Sequence, residues 1–173
     1  IALWSDNNRI EGNFIGTDAT GTVDFGASVV LDAFNHGKPV VLVNAELDSL
    51  IGPILKSKAD HAGVVLTHTD GDEPGVAMTL FRCVQSVGLR PVAAGNIKGM
   101  VDYYRTPDTQ REFAARNDQD VRKVTSFADA TKLSMETTVL ANATGFTVAR
   151  RGMVGPACAY VRELAQLLPA EAM

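Results

Sequence analysis

The sequence predicts an α/β protein whose strands form a parallel, doubly wound sheet. Short apolar segments rich in valine alternate with segments in which apolar residues recur at helical spacing. Pro39–Val43 is apolar throughout, which is typical of a strand buried on both faces of a parallel sheet. Strands that alternate with helices through short connections favour right-handed crossovers between parallel strands. We therefore expect strands and helices in strict alternation over residues 13–94.

Each element of this alternation carries its own local signals. The predicted strands are 13–20 (with the start of a loop), Pro39–Val43, Val64–Thr67 and Arg90–Ala94, and the predicted helices are Asp24–Gly37, Asp48–His61 and Pro74–Val87. Gly37 follows the first helix at a position where a left-handed C-cap is common. Pro53 is compatible with the second helix only near its start. One side of that helix is expected to consist of Leu50, Ile51, Ile54, Leu55 and Lys58.

A different pattern follows Gly95, where residues 96–106 are polar and irregular. Beyond them, Thr106 is predicted to cap a helix that runs to about Arg116, and Ser126–Asp129 fits a capping box that opens a long helix to about Ala143. Phe146–Arg150 is predicted to be a strand, and Pro156 to open a last helix that runs to Leu168. The polar segment therefore separates the alternating part from a second set of elements.

Composition and charge exclude several classes of protein. The 173 residues are 46% hydrophobic and 21% charged, with a net charge of −4 and no basic stripe, so we expect no nucleic-acid partner. No apolar run approaches the roughly 18 residues of a membrane span, so we expect no membrane partner. Cys83 and Cys158 lack the close spacing of a metal site, and reduced cysteines favour a cytoplasmic location. Because the chain starts at Ile1, we expect it to be part of a longer protein.

Polar loops follow three of the predicted strands, at the edge of the sheet where parallel α/β folds bind ligands. They are Asp18–Thr22, Asn44–Glu46 and Thr67–Gly75. The last contains glycines that let the backbone approach a ligand, and it precedes a helix N-terminus that favours an anion. Each loop alone is also compatible with an ordinary turn that caps the next helix. Together they indicate a nucleotide site, although no G-x-G-x-x-G motif is present and the pyrophosphate loop is expected beyond this sequence.

Two polar constellations lie in the second part of the chain. Asn96, Lys98, Asp102 and Arg105 form the first, and Ser126, Asp129, Lys132 and Glu136 form the second. Cations mixed with carboxylates suit a site that binds a phosphorylated or carboxylated sugar and moves its protons. The alternative is a solvated surface with ordinary ion pairs, which the helical spacing of Lys132 and Glu136 slightly favours. His36, His61 and His68 show no metal-ligand spacing, so we expect no metal.

Several strings of residues resemble a known group of enzymes. They are NAELD, DGDEPG, GNIKGM, YRTPDTQ, TSFADATKLSMETTVLANATGF and RRGM. Over nearly all of residues 16–170 the chain resembles the homoserine-dehydrogenase-like oxidoreductases that carry a C-terminal SAF-type domain. That group includes the DXR-like class of 1-deoxy-D-xylulose 5-phosphate reductoisomerases, which act in isoprenoid biosynthesis. Residue 130 is alanine where the group's motif FADGTK has glycine.

The resemblance implies an NAD(P)-dependent oxidoreductase, with NADP or NAD as cofactor, that forms a homodimer or a higher homo-oligomer. Residues 1–95 would be a partial nucleotide-binding domain, the latter half of a Rossmann-type doubly wound parallel sheet. This sheet would be joined to an α/β catalytic and dimerisation domain. Residues 96–150 would supply its catalytic and substrate-binding segment, and residues 151–173 a C-terminal helix that leads to a further domain.

The resemblance also implies roles for single residues. The residues expected near the cofactor are Thr20, Gly21, Asn44 and Glu46, and those expected near its nicotinamide are Gly71, Asp72, Glu73 and Pro74. Substrate binding is expected of Asn96, Arg105 and Ser126. Catalysis is expected of Lys132, Lys98 and Asp129. Lys132 is the first candidate for proton transfer or oxyanion stabilisation, because a desolvated lysine can titrate near neutral pH.

The substrate implied by the resemblance is a small, phosphorylated or carboxylated polyol or carbonyl compound, with the reductoisomerase reaction as one version. Two alternatives stay open. One is a homoserine-dehydrogenase-type activity on an amino-acid semialdehyde, and the other is a non-catalytic module that senses a ligand.

Overall fold

The computed structural model of the protein describes residues 22–169, with side chains from residue 26 onward. The described residues form two compact units, which divide between Gly75 and Val76. The boundary between the units falls in the first turn of a helix that is shared by both. The predicted strand at residues 13–20 lies outside the described residues.

The first unit contains a small parallel sheet flanked by helices. Its described elements are α1 (Thr22–Asn35), β1 (Val40–Leu42), α2 (Ala45–Ala62), β2 (Leu66–His68) and the start of α3 (Glu73–Ser86). The two strands pair in parallel, with Val40 opposite Leu66 and Leu42 opposite His68. The predicted α/β class and the parallel pairing are therefore confirmed.

The core of this unit lies between α1, α2 and β1. It consists of Val30, Ala33 and Phe34 from α1, Val40 and Leu42 from β1, and Leu47, Leu55 and Ala59 from α2. Burial of each large aliphatic side chain stabilises the fold by about 1.5–3 kcal/mol. Because β1 contributes two of these side chains, the core fixes where the carboxyl end of that strand lies.

Helix α2 differs from its prediction in start and in buried face. It begins at Ala45, because Asn44 acts as its N-cap and accepts a hydrogen bond from the Leu47 amide. Pro53 therefore lies well inside the helix, and the buried side chains of Leu47 and Leu55 offset the backbone hydrogen bond that it removes. The predicted apolar side was wrong in part, since Leu50 and Ile54 are 65% and 58% exposed.

The second unit is helical where the structure describes it. After the remainder of α3 it contains α4 (Pro107–Arg116), α5 (Val121–Ala128), α6 (Thr131–Thr144), a 3-10 turn at Val161–Glu163 and a short α7 (Leu164–Leu167). Helix α4 packs on α5, and α5 packs on α6. Its buried apolar side chains include Ala114, Val124, Ala128, Val139 and Leu140.

The helix starts of this unit were predicted with mixed success. Thr106 caps α4 and forms a reciprocal capping box with Thr109, as the Thr-Pro sequence indicated. The capping box predicted at Ser126–Asp129 was wrong. Asp120 is the N-cap of α5 and accepts hydrogen bonds from the Arg122 and Lys123 amides, whereas Ser126 lies inside that helix. The long predicted helix is broken into α5 and α6.

Two predicted strands do not form within residues 22–169. Arg90–Ala94 forms no regular element, and Val92 is 47% exposed. Phe146–Arg150 is also irregular, since no strand of the described chain pairs with it. The Phe146 ring packs edge-on against Phe81, with ring centroids 5.5 Å apart. The last predicted helix is shorter than expected and begins only at Val161. None of the helices in the described range is both long and apolar enough to cross a membrane.

Candidate functional site

In the first unit, the carboxyl ends of the two strands lie side by side. Leu42 is opposite His68 at the end of the ladder, so the segments that follow both strands start at one edge of the sheet. Asn44 is buried, and its Oδ1 accepts the Leu47 amide at 2.9 Å. Glu46 is half-buried in the first turn of α2. The cap role of Asn44 is thus shown, while contact of Asn44 and Glu46 with a cofactor stays a prediction.

The two glycines that follow β2, Gly71 and Gly75, differ in whether a side chain would fit there. A Cβ atom on Gly71 would meet nothing within 4 Å, whereas a Cβ on Gly75 would lie 2.4 Å from the Thr69 carbonyl oxygen. Gly75 is therefore required by the close approach of α3 to its own preceding loop. Gly71 is the glycine of this loop that leaves room for a ligand.

The remaining predicted cofactor residues of this loop lie at the start of α3. Glu73 is its first residue, and Pro74 is buried. Asp72 is half-buried, and among the described residues its Oδ2 is buried without a hydrogen-bond partner. Thr20 and Gly21 lie outside the described residues.

A histidine–aspartate pair at the same edge was not predicted. His68 Nε2 lies 2.5 Å from Asp48 Oδ2, and because a carboxylate only accepts, that ring nitrogen carries the proton. Within the described chain the Nδ1 atom of His68 is buried without a partner. Gly52 makes the pair possible, since a Cβ there would lie 1.7 Å from Asp48 Oδ1. Glycine four residues after an aspartate in a helix was the sequence signal for this arrangement.

In the second unit, a buried polar cluster forms on α6. Lys132 and Glu136 are one turn apart, with Lys132 Nζ 3.9 Å from Glu136 Oε1, and their side chains are only 15% and 2% exposed. Asn96 donates a hydrogen bond from Nδ2 to Glu136 Oε2 at 2.6 Å. The alternative that Lys132 and Glu136 form a solvated surface pair is therefore wrong. We call Asn96, Lys132 and Glu136 the α6 cluster.

Contacts along α6 explain why Asn96 reaches this cluster. A Cβ on Gly95 would lie 3.8 Å from the Thr137 methyl group, so the backbone before Asn96 runs close to the helix. The Thr137 hydroxyl also contacts the Met153 sulfur. Met153 has a left-handed φ of 67°, and Arg150 Nε donates to its carbonyl at 3.0 Å. The RRGM segment therefore folds so that Met153 contacts α6.

Arg105 is oriented by a turn that starts at Asp102. The Asp102 carboxylate accepts Arg105 Nε at 3.0 Å and the Tyr104 amide at 3.1 Å. The Asp102 amide donates to the Ala128 carbonyl at 2.8 Å, which ties the turn to the end of α5. Arg105 Nη1 also lies 3.4 Å from Oε1 of Gln110, a buried residue that sequence reasoning missed.

The other predicted residues of this unit have mainly local contacts. Asp129 Oδ1 accepts the Thr131 amide at 2.9 Å and the Thr131 hydroxyl at 2.8 Å, so it holds the turn between α5 and α6. Ser126 Oγ donates to the Lys123 carbonyl at 2.7 Å. Lys98 is half-buried in the segment before α4. The catalytic and substrate-binding roles of these residues stay predictions.

The arrangement in the second unit defines what its chemistry can be. A lysine that is largely desolvated and paired with a buried carboxylate can stabilise an oxyanion or transfer a proton. A guanidinium held by a carboxylate on one side keeps other N–H groups for a carboxylate or phosphate of a ligand. Both groups occur here, on α6 and on the turn that precedes α4.

Comparison with protein families identifies the class of this protein. Residues 71–172 match the family model described as "Oxidoreductase DRL, catalytic domain", and this match covers more than half of the 173 residues. The chain therefore belongs to this oxidoreductase family, and the α6 cluster lies within the matched catalytic domain. The predicted oxidoreductase class is confirmed. Comparison with curated proteins gave no match.

Proposed function

We propose that the chain is part of an NAD(P)-dependent oxidoreductase that acts on a small, phosphorylated or carboxylated polyol or carbonyl compound. The observation that carries this proposal is the α6 cluster, in which Lys132 is 15% exposed beside a Glu136 that is 2% exposed. Burial of two opposite charges is expensive unless they are paired and hydrogen-bonded. A protein that accepts the cost of desolvating Lys132 and Glu136 is expected to use the lysine in its site, where it can act on a reacting oxygen.

The proposed roles follow from the chemistry of each side chain. Lys132 stabilises the negative charge that develops on the substrate oxygen, because a desolvated ammonium group interacts strongly with an alkoxide or enolate. Lys98 is the second candidate for this role. Arg105 anchors the anionic end of the substrate, since Asp102 orients its guanidinium from one side.

The cofactor would bind at the edge where β1 and β2 end. The open space at Gly71 in the loop after β2 and the partly exposed Glu46 in the first turn of α2 both follow strands that end at this edge, and they fit a nucleotide that approaches the strand ends. A bound nicotinamide would supply hydride chemistry, and the residues of this chain would only hold and orient it. In the reductoisomerase-like version of the proposal, a skeletal rearrangement precedes the reduction.

The test is a spectrophotometric assay of the chain with NADPH or NADH and a panel of sugar phosphates and hydroxy acids. We predict that Lys132→Met lowers kcat at least a hundredfold and changes the cofactor Kd less than threefold, about the effect of removing one oxyanion partner. Lys56→Met is the matched control, because Lys56 also pairs with an acidic residue one turn later, Asp60, but is 58% exposed.

Similar and modest losses of turnover and cofactor affinity in Lys132→Met would contradict the proposed role of this lysine. Loss of turnover in Lys56→Met to the same extent would point to a general effect on folding. Absence of reduced-cofactor consumption with every substrate would contradict the oxidoreductase proposal in its specific form.

A second candidate function is a homoserine-dehydrogenase-type reaction on an amino-acid semialdehyde. The observation that favours it is Asp72 Oδ2, which among the described residues is buried without a hydrogen-bond partner. A substrate ammonium group would satisfy that oxygen. Reduction of NAD(P) by homoserine, lost in Asp72→Asn, would favour this candidate over a polyol substrate. The predicted homo-oligomer and cytoplasmic location stay predictions.

A further inference from the structure

We propose that Glu136 is a positioning residue of the α6 cluster and that the Asn96 amide oxygen, which it orients, binds a hydroxyl group of the substrate. The inference rests on the proposed function and deepens it, because it adds a residue to the site and names a group of the substrate. Glu136 connects two residues with predicted roles, one in catalysis and one in substrate binding.

The orientation of Asn96 follows from the hydrogen-bonding capacity of the two groups. Glu136 is 2% exposed and its Oε2 lies 2.6 Å from Asn96 Nδ2. An ionised carboxylate only accepts hydrogen bonds, so the amide nitrogen must face it. Rotation of the amide by half a turn would bring two oxygens together. Glu136 therefore determines where Asn96 Oδ1 lies.

The oxygen placed in this way has an unused hydrogen-bonding capacity. Within the described chain, Asn96 Oδ1 is buried without a hydrogen-bond partner. Buried polar atoms in proteins are almost always satisfied, because an amide oxygen loses free energy when it leaves water without a new donor. A donor from a ligand would restore that interaction.

The Lys132 ammonium group in the α6 cluster disfavours a cationic donor at Asn96. Lys132 Nζ lies 3.9 Å from Glu136 Oε1, so the carboxylate that orients Asn96 already has an ammonium group beside it. A second ammonium group at Asn96 would be close to Lys132 and would be repelled by it. A hydroxyl group donates without adding charge, and a polyol substrate offers such groups next to its reacting carbon.

The first test needs no turnover. In the full chain, the side-chain amide signals of Asn96 are followed by NMR in the wild type and in Glu136→Gln, which keeps the shape of the side chain and removes its charge. We expect these signals to shift in Glu136→Gln and to stay in place in Glu112→Gln. Glu112 is the matched control because it pairs with Arg116 on α4 and is 85% exposed. Unchanged Asn96 signals in Glu136→Gln would overturn the inference.

The second test identifies the ligand group with two probes, again in the full chain. Glycerol 3-phosphate carries hydroxyl groups, and propyl phosphate has the same anionic group without them. We expect the Asn96 signals to shift with glycerol 3-phosphate alone. In Asn96→Ser, which removes these signals, we expect glycerol 3-phosphate and propyl phosphate to bind with the same Kd, and this comparison holds whether or not Glu136→Gln folds. Equal shifts with both probes, or none with either, would overturn the hydroxyl assignment.

Kinetics separate this inference from the proposed function. With a hydroxylated substrate that the wild type turns over, we expect Glu136→Gln and Asn96→Ala each to raise KM about ten- to a hundredfold, the effect of one hydrogen bond to a charged or oriented partner. The double variant should be no worse than either single variant. Additive losses would overturn the inference and leave the oxidoreductase function intact. Without any turnover by the wild type, the oxidoreductase proposal fails while the NMR tests still decide the role of Glu136.

Discussion

At the scale of single residues, the backbone of Ala130 determines where α5 ends and α6 begins. Its φ of 72° lies in the left-handed region, which costs a residue with a Cβ atom about 1–2 kcal/mol. The side chain is 7% exposed, so it has little room to relax. The resemblance to the FADGTK motif predicts glycine at this position, and glycine adopts a positive φ more readily than alanine does.

We predict that Ala130→Val lowers the free energy of unfolding by about 2–3 kcal/mol. A β-branched side chain is a genuine outlier at positive φ, and extra methyl groups overpack a buried position. Ala130→Gly should change the free energy of unfolding by less than about 1 kcal/mol, because relief of the φ strain opposes the entropy of glycine. Urea denaturation measures both. If Ala130→Val lowers the free energy of unfolding no more than Ala130→Gly does, Ala130 does not hold a left-handed turn.

The Asp129 side chain gives a second residue-scale prediction. Its Oδ1 accepts two hydrogen bonds from Thr131, and an asparagine can accept both through its own Oδ1. Asp129→Asn should therefore keep the free energy of unfolding within about 0.5 kcal/mol of the wild type, whereas Asp129→Ala should lose about 1 kcal/mol. Thermal and urea unfolding check this order. Equal losses in the two variants would show that the charge, rather than the hydrogen bonds, stabilises the turn.

At the scale of elements, local signals predicted α4 better than they predicted α5 and α6. The cap at Thr106 is local, so its residues are visible in sequence. The pattern at Ser126–Asp129 also has the form of a cap, but α5 already begins at Val121, directly after its N-cap Asp120. The strand expected at Arg90–Ala94 needs a neighbouring strand to pair with, and no periodicity within the segment reports whether that neighbour exists.

The α6 cluster was predictable in composition but not in burial. Lys132 and Glu136 at helical spacing look the same on a solvated surface and in a buried site. What distinguishes the two cases is Asn96, which comes from 40 residues earlier in the chain. The contact of the backbone at Gly95 with Thr137 of α6 becomes visible only when the fold is known.

We predict at this scale that Gly52→Ala destabilises the protein, although alanine is the better helix former. A Cβ atom would lie 1.7 Å from Asp48 Oδ1, so the carboxylate must leave His68. Loss of a hydrogen bond to a charged group costs about 1.5–3 kcal/mol, and the gain in helix propensity returns only about 0.5–1 kcal/mol. The net loss in the free energy of unfolding should be about 0.5–2.5 kcal/mol by urea denaturation.

The sign of this effect should reverse when the aspartate is absent. In the Asp48→Ala background the obstruction is gone, and Gly52→Ala should then stabilise the protein by about 0.5–1 kcal/mol. If Gly52→Ala has the same effect in both backgrounds, Gly52 does not serve the His68–Asp48 pair.

At the scale of the whole molecule, most of the described buried side chains fall into two sets, with Pro74 of α3 outside both. One set joins α1, β1 and α2 around Leu55, and the other lies on α4, α5 and α6 and includes Leu140. The two compact units divide between residues 75 and 76. The sequence and its resemblance predicted a boundary at residues 95 and 96. The two divisions differ in where they assign α3, and the sequence-based boundary stays a prediction.

Hydrogen exchange of backbone amides can decide between these divisions. Leu55 is 1% exposed and Leu140 is 3% exposed, so replacing either by alanine should cost its unit about 2–5 kcal/mol. We predict that Leu55→Ala accelerates exchange in α1 and α2, that Leu140→Ala accelerates it in α5 and α6, and that α3 follows Leu140→Ala. Exchange in a locally unfolding region reports the stability of that region. If α3 follows Leu55→Ala instead, the boundary predicted from the sequence is correct. If both variants accelerate every helix equally, the chain unfolds as one cooperative unit, and the two compact units do not unfold separately.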